Sequence, residues 1–293
     1  MPGQFPPGFA SLSGDVETIS RFLNAPTYIE RTLRTLAQQQ FIGDVLLTSR
    51  VPTSGGAVLY ETGESIFSNR SGLEAINPGA EFPLATTPTG TATLATVKKW
   101  GLDSKITLES IQRMRWNPVQ RALLKLTNSL VNWWDGSVVM PAITAAVTQT
   151  QAAAATWGGA SSNVLLDLAS SVATIRGLKQ GYEPDTIVMT HTKYAVLLAD
   201  KGVQTAMARE DTSNPIYSGQ LGRLAGLDIM VSPNAPAAPL VMDRSMLGGI
   251  ADERAFQTGS NWDFDTESWR VRVLRSSVPF IQEPGAAVSI TGT

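Results

Sequence analysis

Two segments decide the fold of this chain: 55-GGAVLYE-61 and 91-TATLATVKKW-100. The first opens on a flexible glycine pair, and the second alternates small polar with apolar residues at the period of a β-strand. We predict one strand from each segment, paired in a long hairpin. The connection, residues 68–88, holds turn-forming glycine and proline and few large apolar residues. Because a two-stranded ribbon alone is marginally stable in water, this hairpin needs another surface to lie on.

A core helix is predicted directly after the hairpin. Asn117 is an N-cap residue followed by Pro118, and proline favours the first helical position. Apolar residues then recur every three or four positions, at Val119, Leu123, Leu126, Leu130 and Trp133 or Trp134. The periodicity predicts a buried helix that ends at Asp135-Gly136.

Composition narrows the class of protein. The 293 residues can form one large domain or two modest ones. Only 16% are charged, against about a quarter in typical globular proteins, as expected of a subunit that hides surface in an assembly. The net charge of −2 predicts neither tight nucleic-acid binding nor attraction to a membrane surface. The absence of cysteine excludes disulfides, cysteine-ligated zinc and thiol chemistry.

The N-terminal region is predicted to be an arm. Residues 1–14 are rich in proline, glycine and serine and lack the pattern of a signal peptide, which favours a cytosolic product. Two amphipathic helices are predicted over residues 15–24 and 27–41. They either cover the core of their own subunit or reach a neighbouring chain. The charge-free run 136–166 contains proline, glutamine and glycine and is not a membrane span.

The second half of the chain alternates helices with strands. A helix is predicted from Ser162 to its stop at Gly181, with a small α/β module after it. The further predictions are a helix over 193–200 and strands over 186–190, 227–231, 240–243, 269–275 and 286–290. In the strand 269–275 we predict that the arginines, Arg275 included, point outward and alternate with apolar residues.

No group of residues supports an enzyme. The only histidine, His191, lacks the second ligand of a zinc site, so a capping or packing role is favoured. Asp263, Asp265 and Glu267 share one strand face, but the glycine of a calcium loop is missing, and a solvated strand end is favoured. We therefore predict no catalytic, metal or cofactor site. The charges around Arg113, Arg115, Arg121 and Lys125 form either a solvated face or an ion-pair seam with another subunit.

The order of these parts resembles that of the major capsid proteins of tailed bacteriophages. The shared order is an amphipathic arm, a long hairpin, a return strand running into residues 105–109, a long helix, an α/β module and a closing β segment. The segments 21-RFLNAP-26 and 55–83 are most similar to capsid proteins of actinobacteriophages. The resemblance implies an α+β tailed-phage capsid fold. Its parts would be an N-terminal arm (1–50), an extended loop (51–97), a peripheral domain with a long spine helix (98–136 and 249–293) and an axial domain (137–248).

The resemblance also implies a structural function. Such proteins assemble as pentamers and hexamers into an icosahedral shell around double-stranded DNA. The expected partners are further copies of the chain, a separate scaffolding protein, a portal protein and weakly bound DNA, and the sequence leaves open a decoration protein. The expected location is the virion, and the host cytoplasm during assembly. The alternative is an encapsulin-type bacterial nanocompartment shell that encloses a cargo enzyme.

Two differences from the sequence pattern of the family lead to further expectations. Residues 51–97 contain no lysine, so we predict no isopeptide cross-link from the loop. About 14 residues precede the first predicted helix, so we expect a separately encoded scaffold. The acidic loop should instead meet basic residues of an adjacent subunit. The predicted contact residues are Glu61, Glu64, Arg70, Glu74, Glu81, Arg113, Arg115 and Arg121.

Overall fold

The computed structural model describes residues 42–69, 75–86, 89–113, 118–159, 161–206 and 222–293. The helices predicted over 15–24 and 27–41 and the N-cap Asn117 lie outside these ranges. The helices are α1 (Gly43–Leu46), α2 (Leu108–Arg113), α3 (Pro118–Trp133), α4 (Met140–Ala146), α5 (Val164–Gly177), α6 (His191–Ala199) and α7 (Lys201–Ala206). The strands are β1 (Ser49–Pro52), β2 (Ala57–Thr62), β3 (Thr91–Thr96), β4 (Lys98–Thr107), β5 (Gln149–Ala152), β6 (Thr186–Met189), β7 (Arg223–Leu224), β8 (Leu227–Val231), β9 (Leu240–Met242), β10 (Gly248–Asp263), β11 (Ser268–Ile281) and β12 (Ala287–Thr291).

A four-stranded sheet in the order β1-β10-β11-β4 carries the long helix α3. Its inner face presents Trp269, Val271 and Val273, which alternate along β11 at the strand period. The apolar stripe of α3 is buried, as predicted for a core helix: Val119, Leu123, Leu126 and Leu130. Burial of this stripe fixes α3 against the sheet, because most of the stability of a helix comes from packing its apolar face.

The long helix does not end at Asp135-Gly136, contrary to the prediction. It continues through a π-helical turn, Trp134–Val139, into α4. Gly136 does not end the helix. Its missing side chain lets Asn234 approach closely, since a Cβ at residue 136 would lie 3.1 Å from Oδ1 of Asn234. Pro141 lies in the first turn of α4, where a missing backbone N–H is tolerated. The buried Trp134 and Asp135 hold the turn in place.

A six-stranded sheet has the order β5-β12-β9-β6-β8-β7. Helix α5 packs on it through Val164, Leu168 and Ile175, and the strand β6 is fully buried. The strands predicted over 186–190, 227–231 and 240–243 and the helix over 193–200 appear within two residues of their predicted limits. The α+β class is confirmed. Residues 249–293, which the domain prediction keeps together, supply strands to both sheets.

The predicted return strand 91–100 is two strands. β3 pairs with β2 in the hairpin ribbon, whereas β4 pairs with β11 in the four-stranded sheet. The change of partner occurs at Val97, whose N–H donates to the carbonyl of Gly56 at 2.8 Å. Sequence periodicity alone does not reveal this break, because both strands have the same alternation.

Candidate assembly surfaces

The β2–β3 ribbon is a separate two-stranded sheet that begins after a glycine turn. Gly55 and Gly56 have φ of 106° and 76°, a region that only glycine adopts readily. The strands pair from Ala57 opposite Thr96 to Thr62 opposite Thr91. This confirms the predicted hairpin and its pairing.

Large apolar side chains on the ribbon and its loop face solvent in the single subunit. Phe82 is 80% exposed and Leu84 is 90% exposed. Four others share this exposure: Leu59, Ile66, Phe67 and Leu94. A cluster of exposed large apolar side chains on one segment marks an interaction site more often than chance exposure does.

The loop end of the ribbon is attached to the body of the subunit. The N–H of Gly63 donates to the carbonyl of Gln282 at 2.8 Å, and the N–H of Ile66 donates to Oε1 of Gln180 at 3.1 Å. The rings of Tyr60 and Phe280 pack with centroids 5.4 Å apart. These contacts fix where the ribbon ends, while most of the described residues between 75 and 86 are exposed.

The predicted contact residues have different positions in the structure. Glu61, Glu64, Glu81 and Arg121 are exposed. Arg113 ends α2, and its side chain lies outside the description, as do residues 70, 74 and 115. Within the part of the chain that the structure describes, no ion pair joins two residues of this set. The intersubunit role of these residues stays a prediction.

A cluster of charged residues that the sequence analysis did not predict joins α1 and β1 to the central strands of the four-stranded sheet. Arg275 is only 3% exposed, and its guanidinium lies 3.1 Å from Oδ1 of Asp44 and 3.5 Å from Oδ1 of Asp252. Arg50 lies 3.1 Å from each of the same two carboxylates. The cluster therefore ties α1 and β1 to β10 and β11.

The prediction that Arg275 points outward is wrong. Arg270 and Arg272 are exposed, but Arg275 shares the inward phase of Val271 and Val273. Its guanidinium also lies 4.0 Å from the centroid of the Trp134 ring. The signal was present in the sequence, because an odd spacing from Arg272 reverses the face of a strand.

Asp135 connects the long helix to the same region. Its carboxylate accepts hydrogen bonds from the N–H groups of Ile42 and Gly43, both at 3.0 Å, at the start of α1. Burial raises the pKa of Asp135 to about 6; the charge of Asp44 also raises it, while the two hydrogen bonds and Arg275 lower it. An acidic group at a helix start is favourable for the helix, but here it is almost fully desolvated.

Replacement of Asp135 by asparagine should change how stability depends on pH. The raised pKa means that, between about pH 4 and pH 6, the folded chain binds a proton that the unfolded chain lacks. Stability from this group therefore falls as the pH rises through that window. Relative to the wild type, Asp135→Asn should gain about 1 kcal/mol between pH 5 and pH 7. Urea unfolding of the unassembled subunit measures this difference, with Asp265→Asn at an exposed turn as control. Parallel pH profiles for Asp135→Asn and the wild type would contradict it.

A second charge cluster lies at the edge of the six-stranded sheet. The Nε of Arg244 donates to Oδ2 of Asp185 at 2.8 Å, and Asp228 lies within reach of both Arg244 and Arg223. Burial raises the pKa of Asp185, but hydrogen bonds from Arg244 outweigh it, so the pKa lies below its usual value. This cluster fixes the turn after β9 to the starts of β6 and β8.

The residues considered as catalytic or metal-binding candidates lie at the start of a helix and at a turn between two strands. His191 is exposed at the first position of α6, and the neighbouring Thr190 caps that helix by accepting from the N–H of Lys193. The prediction that Asp263, Asp265 and Glu267 share one strand face is wrong. Asp263 ends β10, Asp265 lies in a short 3-10 turn, and Glu267 has a left-handed backbone with φ of 39° before β11 begins. In the described ranges, no three acidic or histidine side chains converge as metal ligands would. Nor is any helix in those ranges both long and apolar enough to cross a bilayer.

Solved structures with a similar fold include phage capsids and a virus-like particle. A structure from Microbacterium phage Oxtober96 is 12% identical, with 87% of this chain and 90% of that chain covered at a TM-score of 0.63. Mycobacterium phage Che8 gives 13% identity, coverage of 82% and 85%, and a TM-score of 0.56. The virus-like particle from Pyrococcus furiosus gives 10% identity, coverage of 90% and 98%, and a TM-score of 0.62. At these identities the likeness shows the fold, which is the tailed-phage capsid fold.

Of the two sequence comparisons, the one with protein-family models gives a match. No curated protein sequence matches the chain. Residues 90–290, which span β3 to β12, match the phage capsid protein family. This range covers more than half of the chain and includes the long helix, the six-stranded sheet and three strands of the four-stranded sheet. The chain therefore belongs to the phage capsid protein family.

Proposed function

We propose that this chain is the major capsid protein of a tailed phage and assembles as pentamers and hexamers into an icosahedral shell around double-stranded DNA. The observation that carries the proposal is the β2–β3 ribbon with its loop, which exposes the large apolar side chains of Phe82 and Leu84 to solvent. A neighbouring copy is the natural surface for them. Contacts between different faces of identical subunits close into rings, the form that pentamers and hexamers require.

The same reasoning supports the remaining partners. A net charge of −2 suits a container that holds DNA without binding it tightly. A scaffolding protein would guide the curvature of the shell, and a portal protein would occupy one vertex. The mature location would be the virion, after assembly in the host cytoplasm. The role is structural rather than enzymatic.

An encapsulin-type nanocompartment is the second candidate. The observation in its favour is the match to the virus-like particle from Pyrococcus furiosus, of which 98% is covered. Both candidates use the same fold, so the contents of the shell separate them. DNA in the shell favours the phage, whereas a cargo enzyme favours the nanocompartment.

Electron microscopy of the chain, expressed alone and then with its neighbouring genes, tests the proposal. We expect closed icosahedral shells, or free pentamers and hexamers, in at least one of the two preparations. Nucleic acid and protein assays of purified shells then identify the contents. A monodisperse monomer or dimer in both preparations would refute the shell function.

Charge exchange tests the predicted role of the acidic loop. Glu81→Lys should reduce shell formation at least tenfold, because it places a cation opposite the basic start of α3 in the neighbour. Adding Arg121→Glu to the same chain should restore shells if the two side chains meet. Counting shells by electron microscopy measures both effects, with Glu253→Lys as a control on an exposed part of β10. Unchanged assembly of Glu81→Lys would exclude the pairing.

Covalent cross-links from the loop are not expected. Residues 51–97 supply no lysine to attack a neighbouring amide or carboxyl group. Mature particles boiled in detergent should therefore run as single subunits on a denaturing gel. Ladders of linked subunits would show that another residue provides the bond.

A further inference from the structure

The outer face of the four-stranded sheet, opposite the long helix α3, is rich in cations. On β11, Arg270 and Arg272 are exposed, whereas the apolar residues that alternate with them are buried on the inner face. On β4, Lys99 and Lys105 are exposed and have the same outward phase, because side chains alternate along a strand. At about 3.3 Å per residue, these two lysines lie about 20 Å apart along β4. We call the surface formed by these four side chains the basic face.

The strand register places two of these cations directly opposite each other. Arg270 of β11 pairs with Lys105 of β4. Opposite residues of antiparallel strands have Cβ atoms about 5 Å apart, and like charges in such a pair are destabilising. Within the part of the chain that the structure describes, neither side chain has a carboxylate at ion-pair distance. An anion bound across the pair would therefore offset a repulsion that the single subunit retains.

The carboxylates on this side of the sheet do not cancel its charge. Asp103 accepts two hydrogen bonds from Arg272, at 2.7 and 2.8 Å, and so balances one of the four cations. Asp263 lies at the turn end of β10, where the hydroxyl of Thr266 donates to it at 2.9 Å. The middle of β10 adds neutral residues opposite β11: Gln257, Gly259 and Asn261. The basic face therefore keeps a net positive charge, although the whole chain carries −2.

We propose that the basic face contacts the phosphates of packaged double-stranded DNA and forms part of the inner surface of the shell. This inference rests on the proposed shell function and names the surface that the enclosed DNA touches. Double-stranded DNA carries one charge per about 1.7 Å of its axis, so a row of about 20 Å spans about twelve phosphate charges. Arginine, lysine, asparagine and glutamine side chains all donate to phosphate oxygens, without reading the base sequence. Four cations per subunit give a contact that is local and weak.

An acidic protein is the other kind of anion that this surface could meet. Protein interfaces are centred on apolar and aromatic side chains in well-packed pockets. The outward positions of β4, in contrast, hold only polar residues and glycine: Lys99, Gly101, Asp103, Lys105 and Thr107. A flat polar surface with unpaired cations is better matched to a phosphate backbone.

Binding of a short DNA duplex to unassembled subunits tests the contact. The test chain carries Lys105→Gln together with Arg270→Gln. It should bind about tenfold more weakly at low salt, and the slope of log affinity against log salt should become shallower by about two, since each phosphate contact contributes about 0.9. The control chain carries Arg176→Gln together with Lys179→Gln, which remove the same charge from exposed positions around the end of α5. Equal losses in the two chains would overturn the proposal, because net charge alone would then explain them.

Thermal unfolding of the same chains separates a lost contact from a lost fold. Because the substitutions remove a like-charge pair, the test chain should melt at or above the temperature of the wild type. Weaker DNA binding by a chain of undiminished stability supports a direct contact. If the double variant does not fold, Arg270→Gln alone should still reduce the salt slope by about one. An unchanged slope for that variant would overturn the contact.

Photochemical cross-linking in filled shells tests which way the basic face points. A photoreactive diazirine amino acid replaces Asn261, which is exposed and lies opposite Arg270. The matched control replaces Asn128, which is exposed on α3, on the other side of the sheet. After illumination, position 261 should yield at least about fivefold more subunit joined to DNA than position 128.

The possible results separate this contact from the shell function. Shells that contain DNA but give equal or greater cross-linking at position 128 overturn the contact, while the shell function stands. A cross-link from position 261 to a protein chain instead of DNA also overturns it, because a protein then covers the basic face. If the unsubstituted chain forms neither shells nor capsomers, micrographs show the failure of the shell function before any illumination.

Discussion

Replacing Arg275 by methionine should reduce the free energy of unfolding by about 3–5 kcal/mol. Methionine keeps much of the side-chain length over Trp134 but removes the buried guanidinium. In the described ranges, Asp44 and Asp252 then keep Arg50 as their only cationic partner, and Arg50 is more exposed; Oγ of Ser277 also loses its donor at 3.1 Å. The loss is large because carboxylates left without a buried partner have little access to water.

Arg272→Met on the same strand is the matched control. Arg272 makes two short hydrogen bonds to Asp103, at 2.7 and 2.8 Å, but it is exposed. The hydrogen bond from Arg272 holds the pKa of Asp103 below its usual value, yet an exposed ion pair contributes little to stability. Urea unfolding of unassembled subunits, followed by tryptophan fluorescence, compares the two variants. Equal losses would show that burial does not set the strength of the Arg275 cluster.

Replacing Gly249 by alanine should also be strongly destabilising and should reduce the free energy of unfolding by about 2–3 kcal/mol. Gly249 lies on β10 opposite Ser49 of β1. A Cβ at this position would lie 2.6 Å from the Ser49 carbonyl oxygen and 2.9 Å from the Phe280 ring. Because a backbone atom cannot move aside like a flexible side chain, β1 would have to leave the sheet. The change should also displace the ribbon, which begins a few residues after β1.

Gly259→Ala on the same strand controls for the loss of glycine itself. A Cβ at Gly259 would meet no atom within 4 Å. Alanine there should be neutral or slightly stabilising, because glycine in a strand costs conformational entropy on folding. Thermal unfolding compares both variants with the wild type, and micrographs show whether shells still form. Similar melting temperatures for the two variants would contradict the close contact between β1 and β10.

Local periodicity was sufficient to predict the elements that bury one continuous face. The stripe of α3, the buried strand β6 and the β2–β3 hairpin appear where the sequence places them. In each case the apolar repeat and the turn residues agree. The order of these elements was enough to suggest the capsid family, which the match over residues 90–290 confirms.

Features that depend on distant partners were not predictable in this way. Gly136 looked like a helix stop, but Asn234 approaches it from another part of the chain and the helix continues. Asp135 caps α1 across 92 residues of sequence. The strand period alone indicates that Arg275 points inward, but its partners Asp44 and Asp252 lie far away in the sequence. Long-range contacts of this kind arise from the packing of the sheets, which no local pattern encodes.

The predicted intersubunit contact residues are neither confirmed nor contradicted by the structure of one subunit. Glu61, Glu64, Glu81 and Arg121 lie on the surface, as a role between subunits requires. Their partners would belong to other copies of the chain, so the single subunit leaves their pairing as a prediction. An apolar groove between β4 and α3, lined by Trp100 and Trp133, was not predicted for a related reason, since it exists only when these two elements are packed together.

The position of β12 in its sheet determines when that sheet can form during synthesis of the chain. This strand, Ala287–Thr291, lies between β5 and β9, so the six-stranded sheet has a gap until residue 291 has left the ribosome. The four-stranded sheet likewise waits for β10 and β11 at its centre. At about 5–20 residues per second, the first half of the chain is exposed for many seconds before either sheet can close. Neither sheet can therefore form on a nascent chain until its late strands, β10 to β12, have been synthesised.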